Sequence, residues 1–93
     1  IYIFLKHKND NVVQGASMQF GEKLKQWFGD RILGPDKPAI ARVKNMNIRK
    51  IVLKLEKGIN QKKVREYLLF AQKQMSKDPR YGALQIYFDV DPL

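Results

Sequence analysis

Few side chains in this 93-residue sequence have the types and spacing that catalysis or metal binding requires. The single histidine, His7, has no cysteine and no evident acidic partner, so we interpret it as structural or exposed. Asp89 and Asp91 are two residues apart in a predicted strand and would face the same side, as paired carboxylates in Mg²⁺ sites do. The sequence places no third carboxylate beside them. We therefore favour a solvated strand end over a metal site or an acid–base pair.

The segment Gly34-Pro35-Asp36-Lys37 has only a slight likeness to a phosphate-binding loop. Such a loop needs Gly, four residues and then Gly-Lys-Ser/Thr at the start of a helix. Pro35 and Pro38 also remove two of the backbone N–H donors that would hold a phosphate. The chain has no cysteine, which excludes disulfides and thiolate metal sites. We expect no catalytic residue, no metal site and no cofactor in this chain, which on its own is not an ATPase.

The distribution of charge is the most informative feature of the sequence. The chain has 18 Lys and Arg residues against 9 Asp and Glu residues, a formal charge of +9. Residues 37–65 hold ten basic residues opposed only by Glu56, so this segment carries the whole net charge and the remainder is neutral. Such segregation favours a polyanionic partner, with a merely solvated charged face as the alternative. No apolar stretch is long enough to span a membrane, and we expect no membrane partner.

Hydrophobic periodicity predicts an α+β fold with the element order β-α-β-β-α-β. Residues 1–5 and 84–90 are predicted to form the first and last strands, and residues 31–33 a short strand that ends at the proline-rich turn. Helices are predicted after the possible capping residues Asn9 and Asp10 and after Asn60. Their predicted apolar stripes are Val13, Ala16, Phe20, Leu24, Trp27 and Phe28, then Val64, Tyr67, Leu68, Ala71 and Met75, widened by Leu69 and Phe70. We expect a single-layer sheet with both helices on one face.

Residues 39–44 and 48–56 are predicted to form a basic hairpin through a turn at 45–47. Strand alternation puts Ile51, Leu53 and Leu55 on the core face of the second strand and two lysines on the other. Antiparallel pairing would then gather four basic side chains on the side away from the helices, namely Arg42, Lys44, Lys50 and Lys54. Tyr2 and Tyr87 face the same way, and they either offer base-stacking surface or pack at the sheet edge with the hydroxyl in water.

Four short elements occur in a specific order along the chain. They are Ile32-Leu33-Gly34-Pro35, Pro38-Ala39-Ile40-Ala41-Arg42, Arg49 with Leu53 and Lys54, and the terminal Asp89-Val90-Asp91-Pro92-Leu93. In this combination the chain resembles the C-terminal domain of the primosomal protein N′ family, the bacterial replication-restart DNA helicases. The resemblance covers nearly the whole chain and implies that residues 1–93 are one C-terminal domain of a longer helicase. The start on Ile1, within a strand pattern, also indicates a piece of a longer protein.

The resemblance implies a role in DNA replication. The parent is an ATP-dependent 3′→5′ helicase of the bacterial cytoplasm and nucleoid that assembles the primosome at abandoned forks. Its ATP and Mg²⁺ site and its structural zinc lie in other domains. The C-terminal domain resembles a small ribosomal-subunit protein fold. It binds forked and single-stranded DNA, contacts other helicase domains and primosome proteins, and helps to bind the acidic tail of single-stranded-DNA-binding protein.

Carried onto this chain, the resemblance and the charge pattern give two candidate sites. The nucleic-acid-binding candidates are Lys37, Arg42, Lys44, Arg49, Lys50 and Lys54. The partner-binding candidates, at the start of the second helix, are Gln61, Lys62, Lys63 and Arg65. Family members often have aromatic residues on either side of the arginine matching Arg49, where this chain has Ile48 and Lys50, so we expect backbone electrostatics to carry more of the binding. Asp89 and Asp91 match the C-terminal residues of the family, and we interpret them as structural or docking residues rather than catalytic ones.

Two other functions remain open at this point. One is a pure protein-interaction module that receives an acidic peptide at the second helix without touching DNA. The other is a free-standing RNA-binding or ribosomal protein of the same topology, against which the Ile1 start argues.

Overall fold

The computed structural model describes residues 1–56 and 58–89. In chain order the strands and helices are β1 (Tyr2–His7), α1 (Asp10–Phe28), β2 (Ile32–Asp36), β3 (Arg42–Val43), β4 (Met46–Leu53), α2 (Gln61–Ser76) and β5 (Gln85–Asp89). Short 3₁₀ turns follow α1 at Gly29–Arg31 and α2 at Pro79–Tyr81. The predicted α+β class is confirmed. Within these described residues the sheet has five strands.

All strand pairs in the sheet are antiparallel, in the order β2-β4-β1-β5. The edge of β4 away from β1 is shared, since β2 pairs with its second half and β3 with its first residues. In the centre, Ile3 lies opposite Ile51 on β4 and opposite Phe88 on β5. This register fixes which side chains share a face and therefore positions every candidate site below.

The core lies between the sheet and the two helices, which cover one face as predicted. β1 and β4 contribute Ile3, Leu5, Ile51 and Leu53, all of which are buried. The helices cover them with Val13, Ala16, Phe20 and Leu24 from α1 and Val64, Leu68, Ala71 and Met75 from α2. Truncating a fully buried aromatic such as Phe20 to Ala removes about 3–5 kcal/mol from the free energy of unfolding in proteins of this kind.

Local sequence signals set the helix boundaries. The side chain of Asn9 accepts hydrogen bonds from the backbone N–H groups of Asn11 and Val12, and Asn60 caps α2 in the same way. At the other end of α1, Gly29 adopts φ 55° and its N–H donates to the Lys25 carbonyl. Asn9 and Asn60 are among the caps that the sequence predicts, and together with Gly29 they satisfy backbone groups that a helix end leaves unpaired.

Four residues of the predicted apolar stripes are exposed rather than buried. They are Trp27, Tyr67, Leu69 and Phe70. The Trp27 ring stacks on Tyr67 with centroids 5.2 Å apart and lies 5.9 Å from Phe70. The buried residues of the two stripes already cover the sheet. Trp27 therefore packs against Tyr67 and Phe70 across α1 and α2, and Leu69 lines a cavity beside α2 with Ile1 and Phe88.

Strand β2 runs further than predicted. It was expected to end at Leu33 but continues to Asp36, with a register irregularity between the two. Gly34 makes this possible, because it has φ 97° and a Cβ at this position would lie 2.9 Å from the Lys50 carbonyl oxygen. Only glycine fits so close to the neighbouring strand.

Within residues 1–56 and 58–89, no helix is long and apolar enough to cross a membrane. In β5, Ile86 and Phe88 pack against the core as the alternating pattern predicts. The predictions for Val90 and Asp91 lie outside the described residues.

Candidate nucleic-acid interface

The six predicted nucleic-acid-binding residues do not form one patch. Arg42 and Lys44 lie at the β3–β4 hairpin, Lys37 follows β2, and Lys50 is in the middle of β4. Lys54 follows the end of β4, about 13 Å along the strand direction from Lys50. It borders a cavity together with Asp30, Arg31 and Glu56, the last two of which form a salt bridge. Lys54 is therefore separated from the others and has acidic neighbours.

Arg49 is buried and already fully engaged. Its side chain is 3% exposed on the helix side of the sheet. The guanidinium Nη2 donates to Asp10 Oδ1 at 2.7 Å, Nε donates to Gln14 Oε1 at 2.8 Å, and Nη1 donates to the Ile48 carbonyl at 3.0 Å. A phosphate has no access to this group, so the structure removes Arg49 from the candidate interface and makes it a link between β4 and the start of α1.

The predicted common face of the hairpin is wrong. Arg42 pairs with Asn47, which by alternation lies on the same side of β4 as Arg49, whereas Lys50 lies on the other side. The turn contains only Lys44 and Asn45 and not the predicted residues 45–47. Compared with the predicted pairing, the observed turn shifts the register between the two hairpin strands by an odd number of residues. Each side chain of the first strand therefore lies on the face opposite to the predicted one.

The hairpin instead meets the end of β1. Asn47 pairs with Arg42 on one side and with His7 on the other. Its side-chain amide donates to the His7 carbonyl at 3.3 Å and to the Lys8 carbonyl at 2.8 Å, which ties the end of β1 to the hairpin. We name the exposed basic residues gathered here, Lys8, Arg42 and Lys44, the hairpin tip. None of them takes part in a salt bridge with the described residues.

A second feature, which we name the outer groove, lies on the sheet face opposite the helices. Its floor comes from three strands: Phe4 and Lys6 of β1, Ile48 and Lys50 of β4, and Tyr87 and Asp89 of β5. Residues 38–40, which lead into β3, form one wall, and the concavity measures about 590 Å³. Ala41, next along the wall, accepts a hydrogen bond from Ile48 N–H at 2.8 Å. The wall thus runs directly from the outer groove to Arg42 at the hairpin tip.

Cations and aromatic rings are interleaved on this outer face. The Lys50 ammonium lies 4.2 Å from the Tyr2 ring centroid, and the Lys6 ammonium lies 5.0 Å from that of Tyr87. Phe4 is the cross-strand neighbour of both Lys50 and Tyr87. Sequence reasoning missed Lys6 and Lys8 because both lie outside the basic segment and reach it only through strand register.

The partner-binding candidates border a separate pocket, which we name the helix pocket. Gln61 and Arg65 of α2 line a cavity of about 180 Å³ that is mainly apolar. Its remaining walls are Ile1, Leu55, Leu68, Leu69 and Phe88. Lys62 and Lys63 are exposed in the same first turn, which contains no acidic residue. Because backbone N–H groups also point out of a helix N-terminus, this end of α2 favours an anion.

His7 and Asp89, which were considered for catalysis or metal binding, lie in different parts of the fold. His7 Nδ1 accepts a hydrogen bond from Asn9 N–H at 2.9 Å, which fixes the turn into α1. Asp89 lines the outer groove, and Asp91 lies outside the described residues. In the described part of the chain, no three His, Cys, Asp or Glu residues gather as a metal site.

Comparison with known proteins adds no relative. No protein-family model, no curated protein and no solved structure matches this chain.

Proposed function

We propose that this chain is the DNA-binding and docking domain of a bacterial ATP-dependent DNA helicase. The parent would act in primosome assembly and in the restart of stalled replication forks, in the cytoplasm and at the nucleoid. The chain itself would bind, while ATP hydrolysis would belong to other domains. The observation that supports DNA binding best is the hairpin tip, where strand register brings Lys8, just after β1, to the basic residues of the β3–β4 hairpin.

The chemistry of the hairpin tip suits a phosphate backbone. Lys8, Arg42 and Lys44 are exposed and lie at one end of the sheet, so the ammonium and guanidinium groups add their fields in the same region. Arg42 presents a planar donor group that matches phosphate oxygens, and the lysines act as point charges. Contacts of this kind position DNA without reading its sequence, as a domain that recognises forks by shape requires.

The test is the salt dependence of binding to a synthetic forked DNA, followed by fluorescence anisotropy. Each neutralised phosphate of duplex DNA adds about 0.9 to the slope of log K against log salt. The double variant Arg42→Ala/Lys44→Ala should therefore reduce the slope by about 1.8. The control Lys25→Ala/Lys73→Ala removes the same charge from α1 and α2 and should leave the slope unchanged. Equal slopes for the two double variants would refute the proposed DNA contact.

The second candidate function, binding of an acidic protein tail, is favoured by the helix pocket. An apolar cavity of about 150 Å³ suffices to hold a benzene ring. The pocket, at about 180 Å³, therefore has room for one apolar side chain of a peptide. Arg65 at its edge, with Lys62 and Lys63 beside it, would attract carboxylates next to that side chain. The acidic tail of single-stranded-DNA-binding protein is the partner that the family resemblance implies.

An acidic peptide with one aromatic residue tests this site. We expect Lys62→Ala/Lys63→Ala/Arg65→Ala to weaken peptide binding, and Leu69→Asp to weaken it through the apolar wall. DNA binding should be unaffected by Leu69→Asp. Peptide binding that needs these residues, together with no DNA binding at any salt concentration, would make the chain a protein-interaction module only.

A further inference from the structure

The two exposed tyrosines of the outer sheet face are each covered by a lysine. Tyr2 is 37% exposed and Tyr87 is 48% exposed, and both lie where alternation turns them away from the core. The Lys50 and Lys6 ammonium groups lie over their rings at 4.2 and 5.0 Å. An exposed contact of this type stabilises by only about 0.5–1 kcal/mol. The lysines can therefore be displaced at small cost.

From this arrangement we propose that the outer groove and Tyr2, whose ring lies 6.4 Å from Phe4 beside the groove, bind single-stranded nucleic acid, with bases stacked on Tyr2 and Tyr87. In the bound state Lys50 and Lys6 leave the rings and contact the phosphates. Base–aromatic stacking is worth about 1–3 kcal/mol per base, which exceeds the lysine contact that it replaces. The exchange converts each lysine–tyrosine pair into one stacking contact and one phosphate contact.

The strand register gives the rings a spacing that suits successive bases. Tyr87 lies opposite Phe4, and Tyr2 lies two residues along β1 opposite Asp89. Tyr2 and Tyr87 are thus diagonal neighbours on one face, about 7–8 Å apart at the backbone. Phe4, in the floor of the groove, lies directly opposite Tyr87 and has its ring 6.4 Å from that of Tyr2, so it links the two exposed rings.

The charge of the outer groove distinguishes this site from the hairpin tip. Asp89 lines the groove beside Lys6 and Lys50, whereas Asp36 lines a separate pocket with Glu22 and Lys25 of α1. Two lysines and one carboxylate give the groove less net charge than the three basic residues of the hairpin tip, so phosphate attraction alone holds a ligand only weakly here. Stacking must supply the affinity, and only unpaired bases offer their faces for it.

The wall of the groove supports the same occupant. Ile40 is 68% exposed although it is large and apolar, and it lines the groove opposite the aromatic floor. The wall continues along residues 41–42 to Arg42. A strand whose bases enter the groove can therefore lead its neighbouring phosphates over the β3 edge to the hairpin tip, where the Arg42 side chain lies on the helix side of the sheet. This proposal rests on the proposed function, because the hairpin tip supplies the electrostatic part of the binding.

The test compares a single-stranded octamer of thymidine with a hairpin duplex, by anisotropy in 0.5 M salt where phosphate contacts are weakened. We expect Tyr2→Leu and Tyr87→Leu each to weaken octamer binding by roughly 5- to 150-fold, which is the stated stacking range expressed as an affinity ratio. Duplex binding at low salt should not change. Tyr2→Phe and Tyr87→Phe keep the ring and should retain wild-type affinity.

Tyr67→Leu is the matched control, because Tyr67 is similarly exposed but stacks on Trp27 on the helical side. It should bind the octamer like the wild type. If both outer-face leucine variants also bind the octamer like the wild type, the stacking site is refuted while duplex binding by the hairpin tip still stands. If instead ring-dependent octamer binding persists with no salt-dependent duplex binding, the hairpin-tip assignment fails and the stacking site stands. Absence of binding to either probe would overturn both.

Discussion

At the scale of single residues, Arg49 shows how a basic side chain in a charged segment can be structural. Its guanidinium lies under α1 and is held by a carboxylate, an amide and a backbone carbonyl. A buried charge of this kind is costly unless it is paired and hydrogen-bonded. Asp10, whose side chain is 55% exposed, supplies the counter-charge from the first turn of α1. The pair thereby fixes the helix start against the centre of β4.

Removing Asp10 should destabilise the protein through Arg49. We expect Asp10→Ala to lower the free energy of unfolding by about 1–3 kcal/mol, because the buried guanidinium loses its charged acceptor. With Arg49→Met already present, the same change should cost under about 1 kcal/mol, the usual effect of an acidic residue at a helix start. Urea unfolding of the four proteins gives the coupling directly. Glu22→Ala, elsewhere on α1, should change stability by less than about 0.5 kcal/mol. Additive effects of Asp10→Ala and Arg49→Met would contradict the inferred link.

Asp78 should make stability depend on pH in the acid range. Hydrogen bonds from the Arg80 side chain, followed by the Arg80 backbone N–H, hold the pKa of the Asp78 carboxyl below its ordinary value. A lowered pKa in the folded state gives stability that is present above the unfolded pKa, about 4, and is lost as the pH falls through the folded pKa. Asp78→Asn should therefore reduce the urea midpoint at pH 7, and the difference from wild type should close below about pH 4.

Arg80→Gln supplies the control for the Asp78 titration. In that background the pH-dependent effect of Asp78→Asn should be smaller, because the side-chain donor that lowers the Asp78 pKa most is removed while the backbone N–H of residue 80 still donates to Asp78. If the difference in urea midpoint between the wild type and Asp78→Asn persists unchanged to pH 2.5, the contribution of Asp78 to stability does not depend on its ionisation.

At the scale of elements, the sequence predicts features that depend on neighbouring residues and fails for features that depend on the pairing of distant strands. Helix starts at Asn9 and Asn60 depend on side chains two or three residues away, so their prediction is confirmed. The faces of β1 follow from simple alternation and are also confirmed. The relation of Arg42 to Lys50 depends on which residues form the turn, and one wrong assumption there reversed a whole strand. Lys6 and Lys8 enter the candidate site only because β1 pairs with β4.

The β3–β4 turn allows folding and binding effects to be separated. Lys44 and Asn45 have φ values of 51° and 66°, as in the two-residue turns that favour Asn and Gly. A lysine in the left-handed region is unfavourable by roughly 1–2 kcal/mol, part of which glycine recovers. We expect Lys44→Gly to raise the free energy of unfolding by up to about 1 kcal/mol while lowering the salt slope of DNA binding by about 0.9.

Asn45→Gly is the matched change without loss of charge. It should leave the DNA salt slope at the wild-type value and change stability only slightly, because Asn tolerates the left-handed region. Urea unfolding and a salt titration on the same protein samples measure both quantities. A Lys44→Gly protein that is less stable than wild type, or that binds DNA with an unchanged slope, would contradict the role given to this turn.

At the scale of the whole molecule, the two candidate sites lie at opposite ends of β1. The helix pocket includes Ile1, just before the strand, and the hairpin tip includes Lys8, just after it. The strand has six residues and so separates the sites by about 20 Å. The segment of residues 37–65, which looks like one block of charge in sequence, is thus divided by the fold between a hairpin and a helix start. Each end can meet a different polyanion.

This separation predicts that DNA and an acidic peptide bind at the same time. The Debye length at physiological salt is about 8 Å, so charges about 20 Å apart are well screened from each other. We expect the affinity of a labelled acidic peptide to change less than twofold when a hairpin duplex saturates the protein in 0.15 M salt. At about 0.01 M salt the Debye length rises to about 30 Å, so bound duplex should lower the affinity of the protein for the peptide modestly. By linkage, bound peptide should lower the affinity for the duplex by the same factor. The double variant Arg42→Ala/Lys44→Ala should abolish this mutual effect, because it weakens duplex binding at the hairpin tip. Full displacement of the peptide by duplex in 0.15 M salt would show instead that both ligands use one surface.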